Sequence, residues 1–467
     1  MNINIKTLLL GATVALSGGI MTSCGDDDDF TSTIFDTHEY PLDRTAYTFP
    51  LDTFLKANFQ QPYNLRFIYK MEDIGSDLQK NLVPADYYHS MQLAVLAKYL
   101  WFDLYQQFGG DQFLKENSPR IIHLIGSPAY NPTSGTETLG TAEGGLKITL
   151  YKVNVLDVND IDLMNEYFFH VMHHEFGHIL DQTHQRPSTI FDVISNGHYD
   201  PLDWQNKHDS VTASWGFVTP YASEAAREDW VETLSCYLTD NEDTWNNRLA
   251  TARYDWEDVD FKDVAFYFTG DEVKYLSQRG VVFMRDGEEL EEMAMDNLKK
   301  KGGTFFGSDV TTTSDGFDNG SIFNYYLSKR REGIDSIGYL FPQRNGDYHV
   351  VRKVIARNAN GLVQLTADGK LDFGNLDAGG SDGINGATII LQKLDLVRNW
   401  LKQYYNIDLD GMRYVLQRKQ YASDSEGNLL RDSNGQYINN LTRADEDGNT
   451  LMMKLLMQVL IYGALQP

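Results

Sequence analysis

The sequence predicts an α+β fold with a large insertion and a helical C-terminal part, and three patterns support this prediction. Segment 63–70 alternates apolar and polar residues as a strand does, and segment 120–126 has the continuous apolar run of a buried strand. Segment 89–108, between them, places apolar residues at helical spacing. Strands and helices therefore interleave early in a chain whose 467 residues can bury a large core.

The N-terminal segment has the pattern of an export signal. A first stretch with one cation is followed by a mostly apolar run at 7–21, which is too short to span a bilayer. This run ends in the tetrapeptide MTSC at 21–24, which resembles the lipobox of bacterial lipoproteins, in which the Cys is acylated. We predict a signal peptide over 1–23, lipidation of Cys24 and an acidic tether over 24–40. The alternative is an ordinary secretory signal with an incidental Cys.

Four consecutive Asp residues at 26–29 follow the predicted lipidation site closely. Such an acidic run resembles the export signal that sends lipoproteins to the cell surface in some Gram-negative bacteria. We therefore expect a lipid-anchored protein of the outer membrane that faces the cell exterior and contacts the membrane through its anchor only.

The charge balance excludes one large class of partner. The chain has 66 acidic and 40 basic residues, and its formal net charge of −26 repels nucleic acid. Once Cys24 is acylated, Cys236 is the remaining cysteine, so no internal disulfide is expected. Stability must come from packing.

The predicted core extends over 41–241 and continues with a strand and two helices. Segment 146–153 alternates as a half-exposed strand, which we place at a sheet edge after a loop over 127–145. A helix capped by Asn159 or Asp160 then runs to about residue 180. A further helix near residue 228 has Ser223 as its candidate N-cap.

The rest of the chain divides into two predicted parts. Composition shifts toward Gly, Asp, Asn and Lys over 242–386, which we interpret as an insertion of mixed structure. Helical periodicity returns at 387–405 and 409–418. We expect a helical part over 387–467 that packs on the core.

Three Asp-rich and Gly-containing pieces near the end, at 424–428, 432–435 and 445–449, could be calcium loops or hairpin turns. An EF-hand loop needs an oxygen ligand five residues before its Gly, where this chain has Ala422, Leu430 and Arg443. The sequence favours hairpin turns.

The motif HExxH stands on the helix predicted to end near residue 180. Its four-residue spacing places His174 and His178 on one helix face, about 40° apart around the axis, so both imidazoles can reach one Zn²⁺. Glu175 lies beside that face and can accept a proton from an attacking water. The alternative is a polar helix face without a metal.

A catalytic zinc site usually has a third protein ligand, and two candidates exist. His184 has the spacing of the metzincin pattern HExxHxxGxxH, but Asp181 stands where that pattern has Gly, and the Met that metzincins have soon afterwards is missing before Met284. The other candidate is Glu228.

The second candidate belongs to a pattern that resembles the gluzincin metallopeptidases, among them anthrax lethal factor. That protein also has HEFGH, and downstream a Tyr seven residues before a metal-binding Glu, with another Glu four residues later. The matching positions are Tyr221, Glu228 and Glu232. The resemblance implies Glu228 as third ligand, Tyr221 as a donor to the developing oxyanion and Glu232 as an acceptor that orients a ligand. It also implies a zincin-like core.

Most of the chain resembles a family of lipoproteins encoded beside TonB-dependent nutrient importers, the substrate-import-associated zinc metallohydrolases. Shared features are the lipobox, GTAEGG at 140–145, HEFGHILDQT at 174–183, GFVTPYA at 216–222, and a helix with Lys393 and Val397 that leads to IDLD at 407–410. This resemblance implies an importer and its lipoprotein partner as neighbours.

Together these patterns predict an extracytoplasmic metallopeptidase with one Zn²⁺ per chain, acting on peptides or glycoproteins, although Co²⁺ or Mn²⁺ can occupy such a ligand set. The first rival is a non-catalytic surface lipoprotein that binds glycan or glycopeptide for import. The second is hydrolysis of a non-peptide amide. Retention of Glu175 favours an enzyme, because a structural site needs no base.

Overall fold

A computed structural model describes residues 42–71, 82–130, 137–138, 140–143, 147–260, 281–285, 288–290, 326–329, 338–342, 348–354, 356–359, 364, 367, 372–374 and 384–465. The chain divides into two compact units, Met1–Ala46 and Tyr47–Pro467. Residues 42–46 represent the first unit, where Asp43 Oδ1 accepts hydrogen bonds from the backbone N–H and hydroxyl of Thr45. The predicted signal peptide, Cys24 and the tether lie outside the described residues.

The described part of the second unit contains thirteen α-helices. They are α1 (Phe49–Leu55), α2 (Gln61–Tyr63), α3 (Tyr87–Leu96), α4 (Asp103–Asn117), α5 (Ile161–Met164), α6 (His170–Thr183), α7 (Ser188–Phe191), α8 (Asp209–Ser214), α9 (Ala226–Thr239), α10 (Glu242–Ala252), α11 (Gly386–Tyr405), α12 (Leu409–Gln420) and α13 (Leu451–Leu465). Wider π turns join α1 to α2, α3 to α4 and α5 to α6. None of the helices described here combines the length and apolar character needed to cross a membrane.

The main sheet has four strands in the order β1-β2-β6-β5. The strands are β1 (Arg66–Ile68), β2 (Ile121–Leu124), β3 (Ala129–Tyr130), β4 (Glu137–Thr138), β5 (Gly140–Glu143), β6 (Lys147–Leu150), β7 (Trp256–Asp260), β8 (Val281–Arg285), β9 (Glu288–Leu290), β10 (Tyr326–Lys329), β11 (Gly338–Pro342) and β12 (Tyr348–Lys353). Strands β1, β2 and β6 are parallel, whereas β5 runs antiparallel to β6. The strands after β6 form separate three-stranded sheets, β10-β8-β9 and β11-β12-β7.

The α+β prediction is confirmed. Helices and strands occur in the segments where the spacing of apolar residues predicted each type. Asp160 rather than Asn159 caps the helical segment that leads to the motif, since its carboxylate accepts from the Leu163 N–H at 2.9 Å. The helix predicted at 387–405 is α11, which begins after the N-cap Asn385 and ends at the left-handed Asn406.

Strand β6 is not at the edge of its sheet, so that prediction was wrong. It lies between β2 and β5, because the chain at 140–150 folds back on itself and pairs Thr141 with Thr149. The four residues of β5 include one Gly and are followed by Gly144 and Gly145, and Gly disfavours strands, so segment 140–145 had the pattern of a loop. Pairing with β6 overrides that local preference.

Ser223 does not cap α9, which also corrects the prediction. Residues Tyr221–Ser223 form a 3₁₀ turn, and the Ser223 hydroxyl donates to the Pro220 carbonyl at 2.6 Å. Glu224 still has helical backbone angles, and the chain first becomes extended at Ala225, which is the N-cap. The helix therefore begins at Ala226, with acidic Glu228 and Asp229 in its first turn.

The three Asp-rich pieces near the end form hairpin turns, as predicted. Each is flanked by an antiparallel bridge, such as the one between Ser423 and Leu429. The leading Asp accepts two backbone N–H groups within its own turn; Asp445, for example, accepts from Asp447 and Asn449.

The core holds helix α6 between the sheet and α9. Phe176 is fully buried and contacts the rings of Trp101 and Tyr105 at centroid distances of 4.9 and 4.7 Å. On the opposite side, Gly177 lies so close to α9 that a Cβ atom there would be 2.9 Å from Val231 Cγ1. Glycine at this position therefore permits the close packing of α6 on α9.

Of the C-terminal helices, α11 and α12 pack against α9, whereas α13 packs against α1 and α3. From α11, the Trp400 indole donates to the His184 carbonyl at 2.9 Å and the Tyr405 hydroxyl donates to the Leu180 carbonyl at 2.7 Å. The Leu180 carbonyl also accepts the His184 N–H at 2.9 Å, so the Tyr405 hydroxyl is its second donor. The domain boundaries at 242 and 386 stay a prediction.

Candidate metal centre

Helix α6 presents two imidazoles toward α9. His174 and His178 are one turn apart, and their ring centroids are separated by 4.9 Å. His174 is buried, whereas His178 is partly exposed. Because the Phe176 side chain is packed in the core, the direction in which α6 presents these two imidazoles is fixed.

Glu228, in the first turn of α9, completes a three-residue cluster with these imidazoles. Its Oε2 atom lies 3.2 Å from His174 Nε2 and 3.1 Å from His178 Nε2. One ligand atom from each of the three residues lies within 4.8 Å of the other two. Ligands around a tetrahedral zinc ion are about 3.3 Å apart, so this His₂Glu set fits the metal.

Glu232, one turn after Glu228, fixes the orientation of His174. Its Oε1 atom lies 2.7 Å from His174 Nδ1 and 2.8 Å from His170 Nε2, and its Oε2 accepts the Thr219 hydroxyl at 2.6 Å. Because a buried carboxylate accepts only, His174 must donate from Nδ1. Nε2, which faces Glu228 and His178, is the nitrogen available to a metal.

The electrostatics of the cluster suit a cation. Burial opposes charge on His174, but hydrogen bonds with Glu228 and Glu232 raise its pKa to about 10. Burial also disfavours the Glu228 carboxylate, yet the hydrogen bonds from His174 and His178 hold its pKa well below the usual range. The pKa of Glu232 is likewise lowered by His170 and His174 against its burial. Two carboxylates thus converge on a small buried volume, and their negative charge is balanced either by a protonated His174 or by a bound cation that takes the place of its Nε2 proton.

Glu175 lies beside the cluster and lines the same cleft. Only 8% of its surface is exposed, and burial raises the pKa of its carboxyl group against the opposing influence of His174 and His178. A carboxylate whose pKa is raised is a better proton acceptor.

Tyr221 covers the other side of His174. Its ring stacks on the imidazole with a centroid distance of 5.7 Å and an interplanar angle of 27°, and it also contacts Trp204 at 4.9 Å. Burial and the neighbouring carboxylates, first Glu228 and then Glu232, raise the pKa of its phenol. The hydroxyl therefore remains protonated and can donate a hydrogen bond.

The alternative ligands lie elsewhere. The His184 ring stacks on Tyr404 at 4.9 Å and contacts Tyr405, so this residue belongs to the junction with α11. Within the described part of the chain, the clusters able to hold a metal do not include it. His173 is fully buried and bonds the Tyr105 hydroxyl at 3.0 Å.

A cleft of about 860 Å³ lies beside the centre; His174 and Glu175 line it, whereas His178 and Glu228 are not among its lining residues. Four residues of the α5 to α6 segment line it at four-residue intervals: Asp162, Glu166, His170 and His174. Trp204, Lys207 and Tyr221 form part of the opposite wall. A cleft of this volume can enclose several residues of a peptide or a sugar of similar size.

The sequence places His170 one turn before His174, where it could hydrogen-bond near the site, but it identified neither Glu232 as the partner of His170 nor Thr219 as a partner of Glu232. The pair His170–Glu232 is 62 residues apart, and no local pattern marks it. The segment 216–222 was part of the family resemblance, but no role was assigned to Thr219. The four-residue spacing of His170, His174 and His178 is the signal that could have placed His170 on the same face.

Residues 44–302, more than half of the chain, match a protein-family model described as "Putative zinc-binding metallo-peptidase". Among solved structures, the chain is similar to the crystal structure of a "putative zinc-binding metallo-peptidase from Bacteroides caccae ATCC 43185". The two sequences are 30% identical over an alignment that covers 79% of this chain and 90% of the other, and the TM-score is 0.46. No curated protein matches this chain significantly.

Proposed function

Because the chain belongs to the family described as "Putative zinc-binding metallo-peptidase", we propose that it hydrolyses peptide bonds at the centre formed by His174, His178 and Glu228. The observation that supports this proposal most strongly is the convergence of that His₂Glu set, with Glu175 beside it in an open cleft. A structural metal site would need neither the buried carboxylate nor the cleft.

Each residue of the cleft has a separate task in this proposal. When bound, zinc supplies Lewis acidity toward the substrate carbonyl and the attacking water. Glu175 accepts the proton of that water and passes it to the departing amine. Tyr221 donates a hydrogen bond to the oxygen on which negative charge develops. Glu232 holds His174 in the tautomer that leaves Nε2 free for the metal.

We also propose that the enzyme works on the cell surface, anchored to the outer membrane through Cys24. The pattern over 1–29 supports this location, and the resemblance to importer-associated lipoproteins supports peptide or glycoprotein substrates near a TonB-dependent importer. A matched Cys24→Ala variant, compared by detergent partitioning and by protease treatment of intact cells, examines the anchor separately from the chemistry.

The activity is tested with a proteome-derived peptide mixture whose new termini are read by mass spectrometry. The zinc-loaded protein should generate new termini, and Glu175→Gln should bind zinc equally well but cleave at least a hundredfold more slowly, because general-base catalysis contributes roughly 10²–10⁴ in rate. Equal cleavage by both proteins would exclude Glu175 as the base. Absence of cleavage by a fully zinc-loaded protein would favour the non-catalytic binding lipoprotein.

A further inference from the structure

A fully buried ion pair lies beneath the ligand helix α9. Lys393, on α11, places its Nζ atom 2.6 Å from Asp229 Oδ2, and both side chains have 0% exposure. Asp229 directly follows the proposed ligand Glu228. Two charges removed from water in this way lose their hydration, and such a pair is often no more stabilising than apolar residues of the same volume. Overall stability alone therefore does not explain it.

The pair is attached to three separate parts of the candidate site. The Lys393 ammonium also donates to the Gly216 carbonyl at 2.8 Å and lies 4.2 Å from the ring centroid of Phe217. Asp229 Oδ2 in addition accepts the Tyr199 hydroxyl at 2.8 Å. The Lys393–Asp229 pair thus connects α9 with Gly216, at the start of segment 216–223, and with Tyr199, which precedes the residues of the opposite cleft wall.

The first attachment controls the direction of Glu228. Neighbouring side chains on a helix point about 100° apart, so Asp229 faces the core while Glu228 faces the imidazoles. Holding Asp229 by Lys393 prevents α9 from rotating about its axis. The Glu228 carboxylate is then fixed in its position between His174 and His178.

The second attachment controls Thr219 and Tyr221. Gly216 has a φ of +85°, and a Cβ atom there would lie 2.2 Å from Ile389 Cγ2, so the backbone lies directly on α11. Its carbonyl can therefore reach Lys393. Three residues later Thr219 donates to Glu232, and two residues after that Tyr221 stacks on His174.

The third attachment controls the opposite wall of the cleft. Tyr199 precedes Asp200, whose backbone N–H donates to the Ser223 carbonyl at 2.7 Å and whose carboxylate bonds Lys207 at 2.6 Å. Lys207 and Trp204 both line the cleft. The wall and the turn that carries Tyr221 are therefore tied together at the same place.

We propose that Lys393 is a positioning residue for the reaction, which aims Glu228 and Tyr221 through Asp229 and Gly216. This inference rests on the proposed peptidase function. Because Lys393 lies beyond residue 302, the part of the chain that the family model does not match completes the active site.

The test uses the double variant Lys393→Met/Asp229→Asn, which removes both charges without leaving one buried alone. Zinc affinity is measured by competition with a chromophoric chelator, ligand geometry by the visible spectrum of the Co²⁺-loaded protein, and segment order by amide hydrogen exchange over 216–223. We expect zinc to bind 10- to 100-fold more weakly, since that is the effect of losing partners that orient a ligand. The cobalt bands should shift and exchange over 216–223 should accelerate.

Lys419→Met is the matched control. Lys419 is a partly buried ammonium on α12 that donates to the Tyr99 carbonyl at 2.6 Å and lies 4.2 Å from the Tyr99 ring, away from the cleft. Its loss should leave zinc affinity, cobalt spectrum and exchange over 216–223 as in the wild type. The single variant Lys393→Met should unfold at a lower temperature than the double variant, because it leaves Asp229 buried without a partner.

A folded double variant with wild-type zinc affinity, cobalt spectrum and exchange would overturn the inference. If the wild type itself binds no zinc, the proposed function fails instead. In that case the hydrogen exchange over 216–223 still tests the positioning role. Unchanged exchange in the double variant overturns that role, whereas faster exchange shows that Lys393 and Asp229 hold this segment in place but not that they serve catalysis.

Discussion

At the scale of single residues, the centre depends on carboxylates that serve several partners. Glu232 bonds His174, His170 and Thr219, so one buried side chain joins the motif helix to the segment before Tyr221. Glu228 bonds both motif imidazoles through one oxygen. Each of these acceptors therefore fixes several donors at once, and small displacements of α9 would disturb the whole cluster.

Tyr221 gives the most specific prediction at this scale. Tyr221→Phe keeps the ring that stacks on His174 but removes the hydroxyl, so only the proposed donor to the oxyanion is lost. Losing one such donor costs about 10²–10³ in kcat. We expect that loss with KM and zinc content unchanged, measured by steady-state kinetics on a peptide found in the cleavage screen. A rise in KM alone would mean that Tyr221 binds substrate instead.

How much of the site could be predicted depends on how local its signals are. His174, Glu175 and His178 follow from a four-residue spacing, and Glu228 with Tyr221 required the resemblance to gluzincins. Lys393 bonds Gly216 across 177 residues, and no periodicity contains that information. The side chains that were predicted, Glu232 among them, lie together, whereas the roles of Thr219 and Lys393 could be found only from tertiary contacts.

At the scale of elements, the interface between α6 and α9 determines the distance between the motif and Glu228. Gly177→Val should force the two helices apart, because even a Cβ atom there would contact Val231 Cγ1 at 2.9 Å and Leu234 Cδ2 at 3.3 Å. Overpacking of this kind destabilises by about 1–3 kcal/mol. Urea unfolding measures the change in the free energy of unfolding.

Gln182→Val is the control for this prediction, because it places the same side chain on an exposed position of the same helix. It should change the free energy of unfolding by less than about 0.5 kcal/mol. Equal destabilisation by both substitutions would contradict the role of the interface, because Val has a higher helix propensity than Gly and propensity alone would not destabilise position 177.

The same scale shows where element predictions succeed and fail. Helix α11 has strong periodicity, a capping side chain at Asn385 and a left-handed Asn406 at its end, and α6 was predicted as part of a longer helical segment whose cap is Asp160. Strand β5 and the start of α9 were not predicted, since a four-residue strand next to Gly144 and Gly145 and a helix without a capping side chain have no local signature. Pairing and packing decide those cases.

At the scale of the whole molecule, the candidate site brings together parts of the chain that are distant in sequence. The motif helix α6 and helix α11 both pack on the ligand helix α9. Helix α11 follows the predicted insertion in the chain. The formal net charge of −26 does not oppose a divalent cation at a carboxylate-containing centre.

The measurement that tests this account most directly is bound-metal analysis by mass spectrometry of the protein that starts after Cys24. The wild type is compared with Glu228→Ala and with His184→Ala, which removes the ring stacked on Tyr404 instead. We expect one zinc per chain in the wild type and in His184→Ala, and little in Glu228→Ala. A wild type without metal after zinc is supplied, or zinc lost from His184→Ala and kept by Glu228→Ala, would contradict the account.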